Sequence, residues 1–426
     1  MIKLEENKII IDNSCIEYQI NDKNIKIVRI SSNSEEETKI LINKLIVVNY
    51  HLLTEDSIIE YNGNEDLAFY GFKRINNIFI LEFKNVYIKR FVKVGEAKTG
   101  KFNSILDLVD VKTTTIKDFP YNTGLTVIIP NEDPLNNKRI ASAYVYNGYG
   151  KSAGLMQINE IGLLETNIVL TSTLNVGKIS DAVVEEIISR NPNIESVNPV
   201  VLECNDGALN KSTDRICDKN TYQKALNQSE VFRQGDYGAG AGMTCHGLKG
   251  GLGSASRIIE LDGKEYHIGL ILNTNFGSSN ASDFVFLGKR LGPLIQRKDE
   301  IYFDKGSCVG VLVTDIPFET RQLQRVLKRI ELGLARTGSY AGNGSGDLFV
   351  GFTTMRIENK PVYEGQRFNE NYINNIFKVV VDMAEECVLN SMLFAHTVKG
   401  YKKERICLGE YVSTYIELLD EEIIIK

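Results

Sequence analysis

Two small residues, Gly306 and Ser307, stand directly before an apolar run in the segment Lys305-Gly-Ser-Cys-Val-Gly-Val-Leu-Val-Thr-Asp-Ile-Pro317. A short continuous run of this kind, rich in valine, is typical of a strand buried on both faces. Gly306 and Ser307 then form either an ordinary loop before a core strand or a cleavage site. In the second interpretation, the Ser307 hydroxyl attacks the Gly306 carbonyl and water cleaves the resulting ester.

Cleavage at this point would turn Ser307 into a new N-terminus with both a hydroxyl and an α-amine. The pKa of such an amine is ~7.7–8.0, so it can act as base for its own hydroxyl near neutral pH. A hydrolase of this design needs no catalytic histidine. The chain has four histidines, and His246, in a glycine-rich segment, is expected to be structural.

Three further groups of polar residues follow or precede apolar strands. Ser345 and Asp347 lie among glycines and form either a solvated loop or a pair that orients the nucleophile. Asn275, at the end of a predicted strand, is either a turn former or an N–H donor to a developing oxyanion. Glu203, after another apolar stretch, is either a solvated acid or a contact for a substrate ammonium.

Composition excludes several classes of function. The 426 residues include 49 basic and 55 acidic side chains, a net charge of −6, which argues against a nucleic-acid partner. No apolar run approaches the ~20 residues of a membrane span. The N-terminal stretch lacks the features of a signal peptide, and the seven scattered cysteines fit a reducing cytoplasm. No histidine or cysteine spacing predicts a metal site.

Two glycine-rich segments resemble nucleotide-binding motifs only in part. Gly148-Tyr-Gly-Lys-Ser152 lacks the first glycine of a P-loop, because Val145 stands there. The dinucleotide pattern beginning at Gly238 would need glycine where Met243 stands. Both segments are therefore interpreted as tight turns.

The distribution of glycine divides the chain. Residues 1 to 95, poor in glycine, are predicted as a small α+β module with a helix after Ser34 and a role that the sequence does not indicate. Residues 96 to 426 alternate strands with helices, and the helical apolar spacing is clearest in Glu319–Arg336 and Asn371–His396. The predicted fold class is α/β.

Seven motifs in order resemble one family, the L-aminopeptidase/D-esterase and β-peptidyl aminopeptidase family (DmpA-type self-processing serine peptidases). The resemblance runs from about Lys101 to about Gly400. The motifs are Asn147-Gly-Tyr-Gly, Gly162-Leu-Leu-Glu-Thr-Asn-Ile-Val-Leu-Thr-Ser-Thr, Glu203-x-Asn-Asp-Gly-x-Leu-Asn, Gly242-Met-Thr-Cys-His-Gly-x-Lys-Gly-Gly, Gly306-Ser-Cys-Val, Thr314-Asp-Ile-Pro and Asn343-Gly-Ser-Gly-Asp347.

The resemblance implies a four-layer αββα sandwich, shared with ornithine acetyltransferases, to which residues 1 to 95 add an extra N-terminal α+β module. It implies autocleavage between Gly306 and Ser307, and N-terminal exopeptidase activity on small peptides, amides or esters. It further implies that no metal or organic cofactor takes part, and that processed pairs of chains assemble as a tetramer.

Residue roles are also implied by the resemblance. Ser307 is the expected nucleophile, supported by Ser345 and Asp347, and Asn275 is the expected oxyanion donor. The expected substrate-binding residues are Glu203, which contacts the free amino group, and Asn205, which stands where some relatives carry tyrosine. Cys308 is expected to point into the core, away from Ser307.

Alternatives of different classes are compatible with parts of this pattern. Ornithine acetyltransferases and oligoamide hydrolases of similar design use a threonine nucleophile, so Ser307 favours serine-dependent hydrolysis. A catalytically silent relative acting as a binding or regulatory protein is the other alternative. The substitution Ser307→Ala separates the two, because a hydrolase loses cleavage and activity whereas a binding protein keeps its function.

Overall fold

A computed structural model of the chain describes residues 2–64, 66–117, 121–228, 232–298, 300–304, 306–357, 365–420 and 422–425. The chain forms two compact units, one of Val94–Cys407 and one of Met1–Lys93 with Leu408–Lys426. No helix in the described part of the chain is both long and apolar enough to cross a membrane.

The larger unit contains two main sheets. The six-stranded sheet has, in spatial order, the strands Leu163–Leu164, Arg139–Gly148, Gly346–Thr353, Ser307–Thr314, Lys264–Asn275 and Gly251–Leu261. The four-stranded sheet has the order Val200–Cys204, Ile168–Ser172, Leu125–Ile129 and Lys112–Ile116. Two-stranded ribbons are formed by Thr244–Cys245 with Leu248–Lys249, Val285–Phe286 with Lys289–Arg290, and Val398–Lys399 with Glu404–Arg405.

The predicted core strand after Gly306 is confirmed. All eight residues of Ser307–Thr314 are buried in the middle of the six-stranded sheet. The strand pairs antiparallel with Lys264–Asn275 and parallel with Gly346–Thr353. Its register places Ser307 opposite Asn275 on one side and opposite Gly346 on the other.

Helices pack against both sheets because their apolar faces match apolar positions of the strands. The helices of this unit are Leu155–Ile161, Val176–Arg190, Lys219–Asn227, Gly292–Ile295, Thr320–Leu327, Ile330–Arg336 and Ile373–Leu393. On the six-stranded sheet, the amide of Asn390 in the longest helix donates to the Ser254 carbonyl over 3.0 Å. An apolar cluster containing Leu170, Leu202, Ile271 and Val311 joins the two sheets.

The helix predicted over Glu319–Arg336 is in fact two helices, Thr320–Leu327 and Ile330–Arg336. The second lies very close to the long helix: a Cβ added to Gly333 would be 2.5 Å from both the Ala384 side chain and the Val381 carbonyl. Backbone contact this close requires glycine and its own helix direction, which apolar spacing alone does not reveal.

The smaller unit contains a seven-stranded sheet and the helix Glu35–Val48. The predicted cap is confirmed, since the Ser34 hydroxyl accepts the Glu37 N–H over 3.2 Å. In spatial order the sheet has strands Ile2–Glu5, Lys8–Ile11, Ser14–Asn21, Asn24–Ser31, Ile58–Tyr61, Ile78–Glu82 and Lys73–Ile75.

The last segment of the chain belongs to this smaller unit. Strand Glu422–Ile425 pairs antiparallel with Val86–Arg90, and the Asp420 N–H donates to the Phe91 carbonyl over 2.9 Å. The boundary predicted from the sequence had placed residues 408–426 together with residues 96–407 instead. Pairing between strands more than 300 residues apart leaves no local signal in the sequence.

Candidate active site

A cavity of about 780 Å³ opens at the end of the six-stranded sheet where the strand of Ser307 begins. Five of the predicted site residues line it: Gly306, Ser307, Asn275, Glu203 and Asn205. The remaining two, Ser345 and Asp347, are buried on either side of Gly346, the neighbour of Ser307 in the sheet.

The Gly306–Ser307 peptide bond is held on both sides. The Gly306 carbonyl oxygen accepts the N–H of Gly346 over 3.2 Å, which polarises this carbonyl. A Cβ on Gly306 would be 2.2 Å from the Asn275 carbonyl oxygen and 2.4 Å from the Phe276 Cα. Only glycine fits here without moving backbone atoms.

Ser345 and Asp347 form a hydrogen-bonded pair beside the first residues of this strand. The Ser345 hydroxyl donates to Asp347 Oδ1 over 2.8 Å, and the Cys308 N–H donates to the same oxygen over 3.1 Å. Burial raises the pKa of Asp347 to about 6, although both hydrogen bonds oppose the shift. The carboxylate is thus linked to the residue that follows Ser307.

A second buried carboxyl, which the sequence analysis missed, lies within the electrostatic influence of Asp347. Glu331, on the helix Ile330–Arg336, is 5% exposed. Burial, together with the nearby charge of Asp347, raises the pKa of Glu331 to about 8, so this group is mostly neutral at pH 7. In the sequence, Glu331 looks like any other polar residue of a helix, and nothing there indicates that its side chain is buried.

The side-chain amide of Asn275 is fixed in one orientation. Its Oδ1 accepts the backbone N–H of Thr244 over 2.9 Å, and its Nδ2 donates to the Asn205 carbonyl over 3.1 Å. The second hydrogen of Nδ2 remains for another acceptor. The backbone N–H of Thr244 therefore orients the Asn275 amide so that its Nδ2 can act as a donor. Sequence analysis missed this role of Thr244, although Thr244 lies in one of the quoted motifs.

Glu203 is the last but one residue of the strand Val200–Cys204 and is 3% exposed although it lines the cavity. Its Oε1 accepts the backbone N–H of Lys151 over 2.9 Å. A carboxylate so placed can accept further hydrogen bonds from a cation in the cavity. Asn205 is exposed, and its own Oδ1 accepts the Gly207 N–H over 2.9 Å, which closes a tight turn.

Asp206, in the loop that follows Glu203 and Asn205, anchors this loop through its side chain. Its buried carboxylate accepts hydrogen bonds from Thr123, Ser172 and Asn210 over 2.7–2.8 Å. Burial raises its pKa in spite of these bonds. Sequence analysis placed Asp206 within a motif but assigned it no role, because Thr123 and Ser172 lie on distant segments of the chain.

Neither Cys308 nor His246 competes with Ser307 as a reactive group. Both are fully buried. Burial raises the pKa of the Cys308 thiol well above its ordinary value and lowers the pKa of His246 to about 3. His246 Nε2 lies 3.2 Å from the Thr337 hydroxyl, a position that agrees with a structural role.

No cluster of histidine, cysteine and acidic residues among the described ranges could hold a metal ion. The cavity brings together a serine at the start of a central strand, a fixed amide donor and the carboxylate of Glu203, and the buried Ser345–Asp347 pair lies beside the same strand. This combination defines a hydrolase of the N-terminal-nucleophile type, in which the α-amine replaces the histidine base.

Comparison with known proteins identifies the group within this class. The chain belongs to peptidase family S58, whose model matches residues 103–406. It is therefore a hydrolase, an aminopeptidase with an N-terminal serine nucleophile, and the resemblance inferred from the seven motifs is confirmed. The acyltransferase and the silent binding protein are not favoured.

Similar proteins include enzymes of known activity. The chain is 29% identical over 342 residues to beta-peptidyl aminopeptidase BapA of Sphingosinicella microcystinivorans, with 72% of this chain and 86% of that protein covered. The structure of the L-aminopeptidase D-Ala-esterase/amidase of Ochrobactrum anthropi, a variant of the Ntn hydrolase fold, matches with a TM-score of 0.68, 26% identity and coverage of 76% and 98%.

A third similar structure is that of the PH0078 protein of Pyrococcus horikoshii OT3. It has a TM-score of 0.71 and 37% identity, and the match covers 76% of this chain and 97% of that one. Together these matches establish an α/β fold of the Ntn hydrolase type.

Proposed function

We propose that Ser307 is the N-terminal nucleophile and that it is released by cleavage of the Gly306–Ser307 bond. The hydroxyl oxygen of Ser307 attacks the Gly306 carbonyl carbon, the C–N bond breaks, and the hydroxyl proton passes to the departing nitrogen. Water then hydrolyses the ester and restores the hydroxyl. The observation that carries this proposal is the hydrogen bond from the Gly346 N–H to the Gly306 carbonyl. It polarises the carbonyl group that directly precedes the strand of Ser307.

In each catalytic cycle, the α-amine of Ser307 takes the proton of its own hydroxyl. The oxygen attacks the substrate carbonyl, and the amine returns the proton to the leaving nitrogen. Asn275 donates its remaining Nδ2 hydrogen to the oxyanion, a contribution of about 3–4 kcal/mol in comparable sites. Water then hydrolyses the acyl-enzyme. Ser345 and Asp347 orient the α-amine and stabilise the ammonium that forms when it takes up the hydroxyl proton.

The substrates are small peptides, amides or esters with a free amino group, which Glu203 binds. The names of the relatives favour this range, since one is a β-peptidyl aminopeptidase and another an L-aminopeptidase and D-Ala-esterase/amidase. Asn205 contributes to the same pocket through its backbone carbonyl, which orients Asn275.

The architecture supports a finer assignment within the Ntn type. We assign four layers, αββα, to the two sheets and the helices that pack on their outer faces. Residues 1–93 together with 408–426 form an added α+β module, and the processed pairs of chains assemble as a tetramer, as the resemblance implies.

The test is the intact mass of the purified protein under denaturing conditions. Cleavage after Gly306 predicts pieces of about 34 and 13 kDa, in proportion to chain length, with Ser307 at the start of the smaller. Ser307→Ala should stay whole and inactive. A matched control is Ser189→Ala, an exposed serine on the helix Val176–Arg190, which should be cleaved normally. Cleavage of Ser307→Ala at this bond would exclude Ser307 as the nucleophile of processing.

A further inference from the structure

The side chains that line the cavity include more basic than acidic groups, although the chain as a whole is acidic. The chain has a net charge of −6. Of the described residues that line the cavity, four are cationic and two are acidic: Lys151, Lys402, Lys403 and Arg405, and Glu203 and Asp304. Burial raises the pKa of Asp304, which reduces the negative charge of the cavity further as the pH falls. An excess of one sign of charge in a cleft concentrates ligands of the opposite sign.

Three of the cations belong to one rigid ribbon. Its strands Val398–Lys399 and Glu404–Arg405 are joined by a turn that contacts the loop following Glu203. The Tyr401 N–H donates to the Leu209 carbonyl over 2.9 Å, and the Lys402 N–H donates to the Ala208 carbonyl over 3.1 Å. The ribbon therefore has a defined position beside the residue that is proposed to bind the substrate amine.

Close approach of the backbone fixes this contact. A Cβ added to Gly400, at the start of the turn, would be 2.4 Å from the Leu209 Cα. The Gly400 N–H also donates to the Lys403 carbonyl over 2.9 Å, which closes the turn. Lys402, at its tip, is thus presented by a preorganised backbone, and only its side chain must be ordered to bind a ligand.

The cations of the ribbon differ in how far they are compensated. The carboxylate of Glu300 accepts from Lys403 over 2.9 Å and from both terminal nitrogens of Arg405, which is 3% exposed. Lys402 is exposed and has no ion-pair partner in the part of the chain that the structure describes. The ribbon thus presents to the cavity one ammonium without a carboxylate partner, which lies 5.8 Å from the centre of the Tyr401 ring.

We propose that the cavity selects peptides with a carboxylate on the leaving-amine side of the scissile bond and that Lys402 contacts this carboxylate. This inference rests on the proposed function, in which Glu203 binds the substrate amine. Acidic and basic groups in one cavity complement a ligand with an ammonium at one end and a carboxylate beyond the bond to be cleaved. The preferred substrates are short peptides with aspartate or glutamate as the second residue.

The experiment compares two nearly isosteric peptide amides, X-Glu-NH2 and X-Gln-NH2. X is the N-terminal residue that the processed enzyme releases fastest. We expect kcat/KM to favour the glutamate peptide about two- to fivefold at low salt, the range of an exposed ion pair, with the difference in KM rather than kcat. At 1 M salt, where the Debye length is about 3 Å, the ratio should approach one.

A matched pair of variants assigns the effect to Lys402. Lys402→Gln should bring the ratio close to one. Lys264→Gln removes another exposed lysine of the same unit and should keep the wild-type ratio. Lys264 begins the twelve-residue strand that ends at Asn275, roughly 37 Å away at ~3.4 Å per residue.

Several outcomes would overturn the inference: a wild-type ratio of one or less, no response to salt, or a ratio retained in Lys402→Gln. If the processed enzyme cleaves neither peptide nor any neutral amino-acyl amide, the proposed function itself fails. The charge preference is then tested without catalysis, from the affinities of Ser307→Ala for Ala-Glu-NH2 and Ala-Gln-NH2 by calorimetry. Equal affinities overturn it.

Discussion

Replacing Gly306 by alanine should block self-processing without unfolding the protein. The added Cβ would lie 2.2 Å from the Asn275 carbonyl oxygen, whereas ordinary contact begins near 3.4 Å. The overlap joins the added Cβ and a backbone oxygen, so no change of side-chain rotamer relieves it. The scissile carbonyl must therefore move by about 1 Å. A shift of that size costs about 100-fold in a reaction that depends on the position of the attacking atom.

The expected cost in stability is about 1–3 kcal/mol, the range for an overpacked position, which should leave the protein folded. Processing is followed as the intact mass of the denatured protein over time, and the fold is checked by thermal unfolding. The control is Gly177→Ala in the helix Val176–Arg190, where an added Cβ has no neighbour within 4 Å. This control should process at the wild-type rate and gain up to about 1 kcal/mol in helix stability.

The result that contradicts this reasoning is rapid cleavage of a folded Gly306→Ala protein. It would mean that the scissile carbonyl reacts from a different position, so that the hydrogen bond from Gly346 to Gly306 would not describe the reactive geometry. Slow cleavage of both Gly306→Ala and Gly177→Ala would instead indicate a general effect on folding.

Three further substitutions test the separate parts of the site. Asn275→Ala removes the proposed oxyanion donor, and steady-state kinetics of the processed enzyme should show kcat reduced by about 10²–10³. For Asp347, wild-type kcat/KM should rise as the pH rises through about 6, because only the ionised carboxylate holds an ammonium, and Asp347→Asn should lack this rise. Since burial raises the pKa of Asp347, protonation stabilises the fold: this contribution is complete below pH ~4, is lost by about pH 6 and amounts to at most ~3 kcal/mol. Urea unfolding between pH 4 and 7 should therefore show a weaker pH dependence for Asp347→Asn. Asp206→Ala leaves three side-chain donors without their acceptor and should lower the free energy of unfolding by roughly 2–4 kcal/mol, which urea titration measures.

Local signals in the sequence predicted the elements that carry the site. The valine-rich run after Ser307 predicted a buried strand, because apolar patterning acts over a few residues. The same kind of signal failed for the helix over Glu319–Arg336, since its division depends on contact between Gly333 and a helix fifty residues later.

The order of motifs in the sequence by itself determined the family and the type of nucleophile, because the chemistry requires particular residues: a glycine before the serine, an amide and a carboxylate. Only the tertiary structure decided how these groups meet. It places Ser307 opposite Asn275, and the long-range bond from Thr244 directs the Asn275 amide as a donor. Strand register and buried hydrogen bonds arise from packing between distant segments, and no short stretch of sequence encodes them.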